Sequence, residues 1–550
     1  MRAAVRRKAV SRSYTAVPPV RGWIANEPLA GSKPGGALVL ENWFPTKTSV
    51  RVRGGSQKYA TVSTGAVLSM FTYKSGTQEK FFAADSTKIV DISSIVDPDV
   101  IVPTDDYIVD GDGDYILDED GNYLTTGVTS DLNVTGQTSG YYSTAQFGTA
   151  GGDYLPTVNG TDAPIYFDGA AWNTHAFTGD IGDSSALSFV WSYGSRLWFI
   201  EKNTTRVWYL PVDSINGELT LFDLAGVLQE GASLLFGGRW SLDAGNGLDD
   251  KWFVVSTTGE VAVYEGTNPS DANNWANVGI YQITEPLGFK GVSYAGGDPL
   301  IATQNGIVPL SEAISKDPAA LSLAAVTKQI EPEWKAEVAQ RSAMPWEIMK
   351  WPTNNMMVVS LPIASGGLDA ICFVCNVETG AWCKFKGWDT QCLCLYDGWG
   401  YFGTSDGKVF QMEIGGTDDG APYTCTYIAL PDHMRSPGVA KLVHSARVTV
   451  KASFTPILKV SASIDYQQSL PSAPSSGEDF SNGGEWDVSL WDTGVWDATG
   501  TTSITSKWVS VGRTGFVVST QVQVTCGYTL KPELEMIATD IVFETGGVFV

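Results

Sequence analysis

Carboxylates at regular spacing are the first residues of this 550-residue chain that could do chemistry. Residues 105–121 read DDYIVDGDGDYILDEDG, a motif that repeats after eight residues. A calcium-binding EF-hand loop needs glycine at its sixth position and a bidentate glutamate at its twelfth. Counted from Asp110, those positions hold Tyr115 and Gly121. We therefore predict an acidic hairpin that protrudes from its domain, with a calcium site as the alternative.

A candidate nucleophile is Ser405, because Gly403–Gly407 (GTSDG) matches the G-x-S-x-G pattern of hydrolases. In those enzymes the serine lies between a strand and a helix. Here the residues after Lys408 (VFQM) are typical of a strand, so the motif predicts a hairpin turn. The chain holds 60 Asp and Glu, so carboxylate pairs of the glycosidase kind can arise by chance. We predict no catalytic residue and no enzymatic activity.

Thiols are the next group that could bind a metal. Seven cysteines are present, five of them between Cys372 and Cys394. Cys372 and Cys375 lie on a predicted strand, where residues three apart point to opposite faces. Cys392 and Cys394 share a face but lack the spacing of a zinc ribbon. The pattern predicts buried, reduced thiols in a chain that folds in a cytoplasm, with no metal and no cofactor.

A tryptophan repeat is the most distinctive motif. Trp486, Trp491 and Trp496 are each followed by aspartate, in the segment EWDVSLWDTGVWD. A period of five fits neither a helix nor a strand, so one face of a regular element cannot collect all three indoles. Tryptophan is enriched at interface anchors because it buries a large area and keeps one donor. We predict an interface segment here; the alternative is that the indoles cover their own domain.

Charge is divided unevenly along the chain. The formal net charge is −24, which excludes a protein that binds DNA by neutralising its phosphates. Residues 1–21 carry no acid but hold six basic residues, Arg2, Arg6, Arg7, Lys8, Arg12 and Arg21. Because the arm is opposite in sign to the body, it could clamp a neighbouring subunit or an adaptor. Few charges and many aromatics exclude disorder, and we expect neither a transmembrane helix nor a secretory signal.

The elements that must position these residues are predicted to be β-hairpins. Apolar or aromatic strands alternate with polar turns in hairpins at 80–92, 154–167, 197–210, 252–264, 300–310, 371–386 and 401–412. Their starts fall roughly 45–55 residues apart on average, which is typical of propeller blades. The fold class we predict is all-β, a β-propeller of about six blades. A large sandwich or a pair of β-domains is the alternative.

Four regions follow from these patterns. Residues 1–21 are the basic arm, and 22–62 an N-terminal β segment. Residues 63–415 are the propeller, interrupted by the acidic hairpin at 96–126 and by a helical insertion at 311–343. Residues 416–550 form a second β-rich region, and their alternating strands predict sheets with one solvated face.

Several of these features together resemble a known family. They are Asn42–Pro45 (NWFP) followed by VRVRGG at 50–55, the hairpins, the Trp-Asp repeat, and the C-terminal stretches 508–515 and 537–547. Together they are similar to the tail nozzle proteins of short-tailed, podovirus-like bacteriophages, also called tubular tail protein B or packaged-DNA-stabilising tail proteins. The resemblance spans most of the chain. The acidic insertion at 96–126 has no counterpart that we can match.

The resemblance implies a propeller with a β-rich platform, which the N-terminal segment 22–62 and the C-terminal region 416–550 would form together. It also implies a homohexameric ring below a tail adaptor ring. We therefore expect a structural virion protein, the distal ring or nozzle of the viral tail, assembled in the host cytoplasm. It would extend the tail tube, retain packaged DNA, let duplex DNA pass without specific binding, and permit DNA ejection. Further expected partners are tail fibres and the host cell envelope. The alternatives are a propeller glycosidase or depolymerase, and a carbohydrate-binding adhesin of a phage tail.

Overall fold

The computed structural model describes most of the chain. The described residues are 11–29, 31, 33–94, 105–107, 125–129, 132–241, 250–271, 273–317, 320–363, 367–452, 456–475, 503–527 and 530–546. The strands dominate these ranges and the helices are few, so the all-β prediction is confirmed.

Five strands precede the propeller in the described chain. They are β1 (Ser11–Ala16), β2 (Ala37–Glu41), β3 (Trp43–Pro45), β4 (Val50–Val52) and β5 (Ser56–Thr61). The first four join the platform sheets, whereas β5 joins the propeller.

The first four blades follow in chain order. Blade one comprises β6 (Ser69–Ser75), β7 (Gln78–Ala84), β8 (Lys88–Asp91) and β11 (Val134–Thr135); the separate pair β9 (Asp105–Tyr107) and β10 (Thr125–Thr129) lies between β8 and β11 in the chain. Blade two comprises β12 (Ser143–Thr144), β13 (Phe147–Thr149), β14 (Gly152–Val158), β15 (Ile165–Phe167) and β16 (Trp172–Thr174), and blade three comprises β17 (Phe177–Gly179), β18 (Leu187–Tyr193), β19 (Arg196–Glu201), β20 (Arg206–Tyr209) and β21 (Gly217–Asp223). Blade four comprises β22 (Leu234–Trp240), β23 (Lys251–Ser256), β24 (Glu260–Gly266) and β25 (Trp275–Gln282). β9 lies within the acidic segment 96–126 and pairs antiparallel with β10, which begins at the end of that segment. The other residues of the segment lie outside the described residues.

The remaining blades include the helical insertion. Blade five comprises β26 (Val292–Ala295), β27 (Asp298–Thr303) and β28 (Gly306–Pro309), and the helices α1 (Leu310–Ser315), α2 (Leu321–Ala324) and α3 (Glu331–Arg341) follow it. Blade six comprises β29 (Glu347–Trp351), β30 (Met356–Ser360), β31 (Ile371–Asn376) and β32 (Trp382–Lys386). Blade seven comprises β33 (Cys392–Tyr396), β34 (Trp399–Gly403) and β35 (Lys408–Met412). The insertion predicted at 311–343 is therefore helical, and Trp334 of α3 is fully buried, with its indole N–H donating to the Thr303 carbonyl at 2.9 Å.

The blades close into a ring. Each blade contacts the next: β6 contacts β14, β14 contacts β18, β18 contacts β22, β22 contacts β27, β26 contacts β29, β29 contacts β33, and β33 returns to β6. Each hairpin predicted from the sequence lies in a separate blade; it supplies the second and third strands, except in blade six, where it supplies the third and fourth. The described residues form seven blades, one more than the approximate count. The fold is a β-propeller.

The ring is closed by strands from distant parts of the sequence. β5 (Ser56–Thr61) pairs antiparallel with β35, so the outer strand of blade seven comes from the N-terminal region. This corrects the predicted platform segment 22–62, because its last strand belongs to the propeller. β5 therefore covers the outer side of β35 with main-chain hydrogen bonds.

The platform is made of two sheets formed by both flanks. Its C-terminal strands are β36 (Tyr423–Ala429), β37 (Lys441–Ala452), β38 (Leu458–Ile464), β39 (Ser503–Gly515), β40 (Val518–Cys526) and β41 (Leu534–Thr545). One sheet runs β3-β4-β41-β37-β39 with β1 on the side of β41, and the other runs β2-β36-β40-β38 and continues into blade six through β2. One apolar core therefore extends from blade six into the platform.

A buried histidine makes stability depend on pH. His175 is 7% exposed, stacks on Phe177 at 4.6 Å between ring centroids, and places Nδ1 2.8 Å from the Ile215 carbonyl. Burial lowers the pKa of His175 to about 4. Below pH 6.5 the unfolded chain takes up a proton that the folded chain refuses, so stability falls as pH drops from about 6.5 to about 4.

We expect the free energy of unfolding to fall by about 3 kcal/mol because of His175 when the pH is lowered from 7 to 4. The measurement is urea unfolding at a series of pH values for the parent chain and for His175→Phe. The variant should lose about 3 kcal/mol less over this interval, since phenylalanine does not titrate. An equal pH dependence in both proteins would contradict the assignment.

Candidate functional site

Most residues predicted to form interfaces lie outside the described part of the chain. This applies to Trp486, Trp491 and Trp496, and to Arg2, Arg6, Arg7 and Lys8. Arg12 is described: it is exposed on β1, opposite Phe543 of β41. The described part of the arm, from Ser11, therefore runs along β41 of the platform sheet.

The candidate nucleophile lies in a hairpin. Ser405 is in the turn between β34 and β35, and its hydroxyl donates to Asp389 Oδ2 at 2.5 Å. A nucleophile elbow requires a helix after the serine, and β35 is a strand. The GTSDG motif therefore forms a hairpin turn, as predicted, and not a nucleophile elbow.

The thiols are embedded in the core. Cys372 and Cys375 are buried in β31, and burial raises the pKa of each to about 12. A thiol with so high a pKa is a poor nucleophile and a poor metal ligand at neutral pH. Within the described ranges, no three His, Cys, Asp or Glu side chains are grouped in a way that could hold a metal ion. Nor does any helix there have the length and apolarity to cross a membrane.

A row of polar contacts crosses the solvent-facing side of the platform sheet. Arg447 on β37 donates through Nε and Nη2 to Asp540 Oδ2 of β41 at 2.9 and 2.6 Å. Thr15 on β1 donates to Asp540 Oδ1 at 2.5 Å. Burial raises the pKa of Asp540, but the bonds from Thr15 and Arg447 outweigh it and hold that pKa below its ordinary value. The row ties β1, β41 and β37 together.

The row ends on an indole at the sheet edge. The Arg447 guanidinium lies 4.7 Å from the centroid of Trp508, which is on β39 and 43% exposed. A guanidinium stacked on an aromatic face holds the ring in one orientation. Ile504, on the same strand, is 70% exposed. Together they form an apolar surface held rigid by its neighbours.

β39 lies at the edge of the described part of its sheet. It is 13 residues long and, among the described strands, pairs only with β37. Its unpaired side presents backbone donors and acceptors, which can pair with another chain. Exposed cations flank the apolar residues, namely Lys451, Lys507 and Arg513. We call β39 with these cations, Ile504 and Trp508 the platform edge.

A buried arginine links the platform to the propeller. Arg53 is fully buried between β4 and β5, and it donates to both Asp418 carboxylate oxygens at 2.9 and 2.6 Å. Its Nε donates to Asn42 Oδ1 at 2.9 Å, and its other hydrogens reach the carbonyls of Gly54 and Lys386. The guanidinium also lies over the ring of Tyr423 at 3.9 Å. Every side of this charge is therefore satisfied by the protein.

Two glycines after Arg53 allow the chain to cross between the two parts. The Gly55 amide donates to the Gly415 carbonyl at 2.9 Å, where the chain returns to the platform. A Cβ on Gly55 would lie 2.0 Å from the Thr417 carbonyl oxygen, and one on Gly54 would lie 2.7 Å from the Glu413 backbone. Contacts that short exclude any side chain. The two glycines of the VRVRGG motif are thus explained by the close approach of the chain segment that returns to the platform.

Glu413 completes the junction. Its side chain is fully buried and accepts from Arg51 at 2.9 Å, from Lys531 at 2.8 Å and from the Gly54 amide at 3.0 Å. Burial raises the pKa of Glu413, but Arg51, Lys531 and the amide outweigh it and lower that pKa below its ordinary value. The carboxylate thus remains charged. It links the two segments that cross between propeller and platform, at 51–55 and at 413–415, to the loop before β41.

The channel of the propeller is closed at the end where the inner strands begin. Tyr141, just before blade two, donates to the Met344 sulfur, just before blade six, at 3.6 Å. Lys290, just before blade five, reaches Ser69 of blade one at 3.1 Å. Blades two and six are not neighbours in the ring, and neither are five and one. These contacts therefore cross the axis and block it.

No family model matches the chain. No curated protein matches it either. Similar solved structures include the computationally designed Ika8 protein, at 13% identity and TM-score 0.35 over 65% of this chain and 100% of that chain. The β-propeller domain of Cps50 (Swd1) from Myceliophteria thermophila has 11% identity and TM-score 0.37 over 65% and 99%. Saccharomyces cerevisiae Sqt1 has 11% identity and TM-score 0.36 over 66% and 99%. At these values the likeness carries no argument about function.

Sequence reasoning did not assign the residues of the platform edge. Trp508 and Arg513 were part of the family resemblance, but neither was singled out for an interface. The available signal was the apolar–polar alternation of 503–515 combined with two cations, since cations protect the edges of sheets. Arg53 had a stronger signal, because an arginine between a valine and two glycines is unusual in a strand.

Proposed function

We propose that this chain is a structural, non-enzymatic subunit of a ring, the nozzle at the distal end of a short phage tail. The observation that carries the proposal is the platform edge, a strand with one side that no described strand pairs with and a rigid indole beside it. Exposed tryptophan and arginine at one place are typical of interface anchors. The occupant we propose is a second copy of the chain.

Charge favours a second copy as the occupant. The platform edge carries Lys451, Lys507 and Arg513, whereas the whole chain has a net charge of −24. Any second copy therefore offers an acidic surface to this basic strand. A contact between two different patches is head-to-tail, and head-to-tail contacts close into rings when the rotation allows.

The conduit for DNA would lie between subunits. The propeller's own channel is blocked by the Tyr141–Met344 and Lys290–Ser69 contacts, so it cannot be the passage. A wall of acidic subunits repels phosphates and lets a duplex slide without sticking. The proposed partners are the tail adaptor ring, tail fibres and the host envelope, and the proposed location is the tail of the virion.

The basic arm is expected to strengthen the assembly. Deletion of residues 2–12 removes four cations that precede the described chain together with Arg12. We expect the deletion to weaken ring formation, and more so at low salt, because charge attraction between arm and body is lost. Sedimentation of both proteins at two salt concentrations measures this. Unchanged assembly of the deleted chain would contradict a clamping role.

The direct test of ring formation is the native mass. Mass photometry of the purified protein should show a multiple of the 59.0 kDa chain, with six copies expected from the family resemblance. A single-chain mass at all concentrations would contradict the proposal. Hydrolysis of a polysaccharide by such a monomer would favour the glycosidase alternative instead.

A further inference from the structure

Exposed aromatic side chains lie at one end of the platform. Tyr466 follows β38 and is 45% exposed, and Phe516 lies between β39 and β40 and is 43% exposed. We call the loops 432–440, 465–470 and 515–517 the platform tip, and every residue in them is described. Aromatic rings are enriched in protein interfaces, where they bury a large area. Two exposed rings on neighbouring loops therefore indicate a docking surface.

The platform tip lies far from the junction with the propeller. Lys441 pairs at the tip with Gly515 of β39 and with Thr545 of β41. β4, which leads to Arg53, pairs near the other end of β41, at Met536. The tip is therefore at the opposite end of this sheet from the junction, and its rings do not serve to join platform and propeller.

A buried lysine holds two of the three loops together. Lys441 is fully buried, and its Nζ donates to the carbonyl oxygens of Ser436 at 2.8 Å, Val439 at 3.0 Å and Phe516 at 2.8 Å. Hydrogen bonds from an ammonium are stronger than those between neutral groups, and three of them satisfy this buried charge. The backbone of Phe516 is thus fixed relative to the loop 432–440.

A carboxylate fixes the third loop. Asp465 Oδ1 accepts from the amides of Phe516 at 2.7 Å and Val517 at 3.2 Å, and the Asp465 amide donates to the Val517 carbonyl at 3.1 Å. Asp465 and Tyr466 have φ values of +52° and +63°, a left-handed conformation that few residues other than glycine adopt. These bonds hold the loop in that conformation. The backbone beneath both rings is therefore ordered before docking, which lowers the entropy cost of binding.

The tip continues the platform edge. Phe516 directly follows β39, and Arg513 lies three residues before it. A neighbour that covers the C-terminal end of β39 would therefore reach Phe516 and Tyr466 as well. Arg435, on the loop 432–440, is exposed, and its side chain forms no ion pair within the described residues. Guanidinium groups bind carboxylates, and a chain with a net charge of −24 offers many of them.

We propose that the contact between neighbouring subunits extends from the platform edge onto the platform tip. Tyr466 and Phe516 pack against a second copy of the chain, and Arg435 pairs with a carboxylate of that copy. This inference rests on the proposed ring and names further residues of its interface. A lipid surface fits the tip less well, because the net charge of −24 repels anionic headgroups.

The test places the photo-crosslinking residue p-benzoylphenylalanine in the full-length chain, in place of Tyr466 or of Phe516. Irradiation of the purified, assembled protein should give a covalent product of two chains on a denaturing gel. The same protein, diluted until mass photometry shows single chains, should give none. Leu323 in α2, which is 64% exposed, is the reference position for random collisions, and the crosslinker there should give much less of that product.

Arg435→Asn tests the charged part of the contact. Asparagine tolerates the φ of +60° at this position, so the loop keeps its conformation while the cation is lost. We expect the interface to weaken about tenfold, measured by mass photometry as a rise in single chains. Asp213→Asn, at an exposed propeller residue with a φ of +54°, is the matched control and should assemble as the parent does. Urea unfolding midpoints equal to the parent's establish that both variants are folded.

Four results would overturn the proposal. Two come from the crosslinker: an assembled parent that gives no two-chain product from either tip position, and equal product from the tip and from Leu323. The third is crosslinking to added phosphatidylcholine vesicles in place of a second chain, and the fourth is assembly of Arg435→Asn equal to the parent's. A parent that never assembles would contradict the ring proposal and this inference together, so the two failures are distinguishable.

Discussion

Trp508→Ala is expected to disperse the assembly while leaving each subunit folded. The indole is 43% exposed in the single chain and is held by Arg447, so it loses little freedom when it docks. Anchors of this kind contribute about 2 kcal/mol or more, which weakens each interface at least about thirtyfold. Because every subunit in a ring has two interfaces, the effect accumulates. Mass photometry of the variant at micromolar concentration should show mainly single chains.

A matched tryptophan separates anchoring from simple loss of apolar area. Trp399, at the start of β34 in blade seven, is also 43% exposed. Trp399→Ala removes the same side chain at the same exposure from the propeller instead of the platform edge, and should leave the assembly intact. Equal assembly by both variants would contradict the proposed role of β39. Equal dispersal by both would mean that the interface is not confined to the platform.

Arg53→Met is expected to cause the largest loss of stability of any single substitution described here. Methionine fills part of the space but removes both hydrogen bonds from Arg53 to the Asp418 carboxylate, with its counter-charge, and the one to the Lys386 carbonyl. Removing one partner of a buried ion pair typically costs about 3–5 kcal/mol. Urea unfolding followed by tryptophan fluorescence measures the shift of the midpoint.

The control is an ion pair of ordinary exposure. Arg206 contacts Glu201 at 3.1 Å and its side chain is 47% exposed, so Arg206→Met should cost less than about 1 kcal/mol. Arg53→Lys adds a second comparison, since lysine keeps the charge but cannot reproduce the paired bonds to Asp418. If Arg53→Met costs no more than Arg206→Met, the junction does not depend on this arginine.

Local patterns were sufficient to predict the blades. Each hairpin combines a β-branched or aromatic strand with a turn of Asn, Asp, Gly, Ser or Thr, and such signals act over a few residues. Between β34 and β35, for example, a turn was predicted at 405–408 and lies at 404–407, and the same pattern argued against a nucleophile elbow. The thiols of β31 were predicted to be buried for the same reason, since they lie in an apolar strand.

Long-range pairings could not be predicted. β5 pairs with β35 across most of the chain, and nothing in residues 56–61 indicates which strand they will meet. Likewise, Arg53 depends on Asp418, 365 residues away, so its partner is known only once both crossings are placed. The platform edge is a third case. The apolar side chains of β39 look like those of any half-buried strand, and only the sheet order leaves them at an open edge.

Electron microscopy of the assembled protein tests the central claim most directly. We predict class averages of a closed ring with sixfold symmetry, with platform edges at the contacts and a central opening that passes a DNA duplex. The wall of that opening should be acidic. A solitary propeller with its platform, an open filament, or a lumen lined by lysine and arginine would contradict the account.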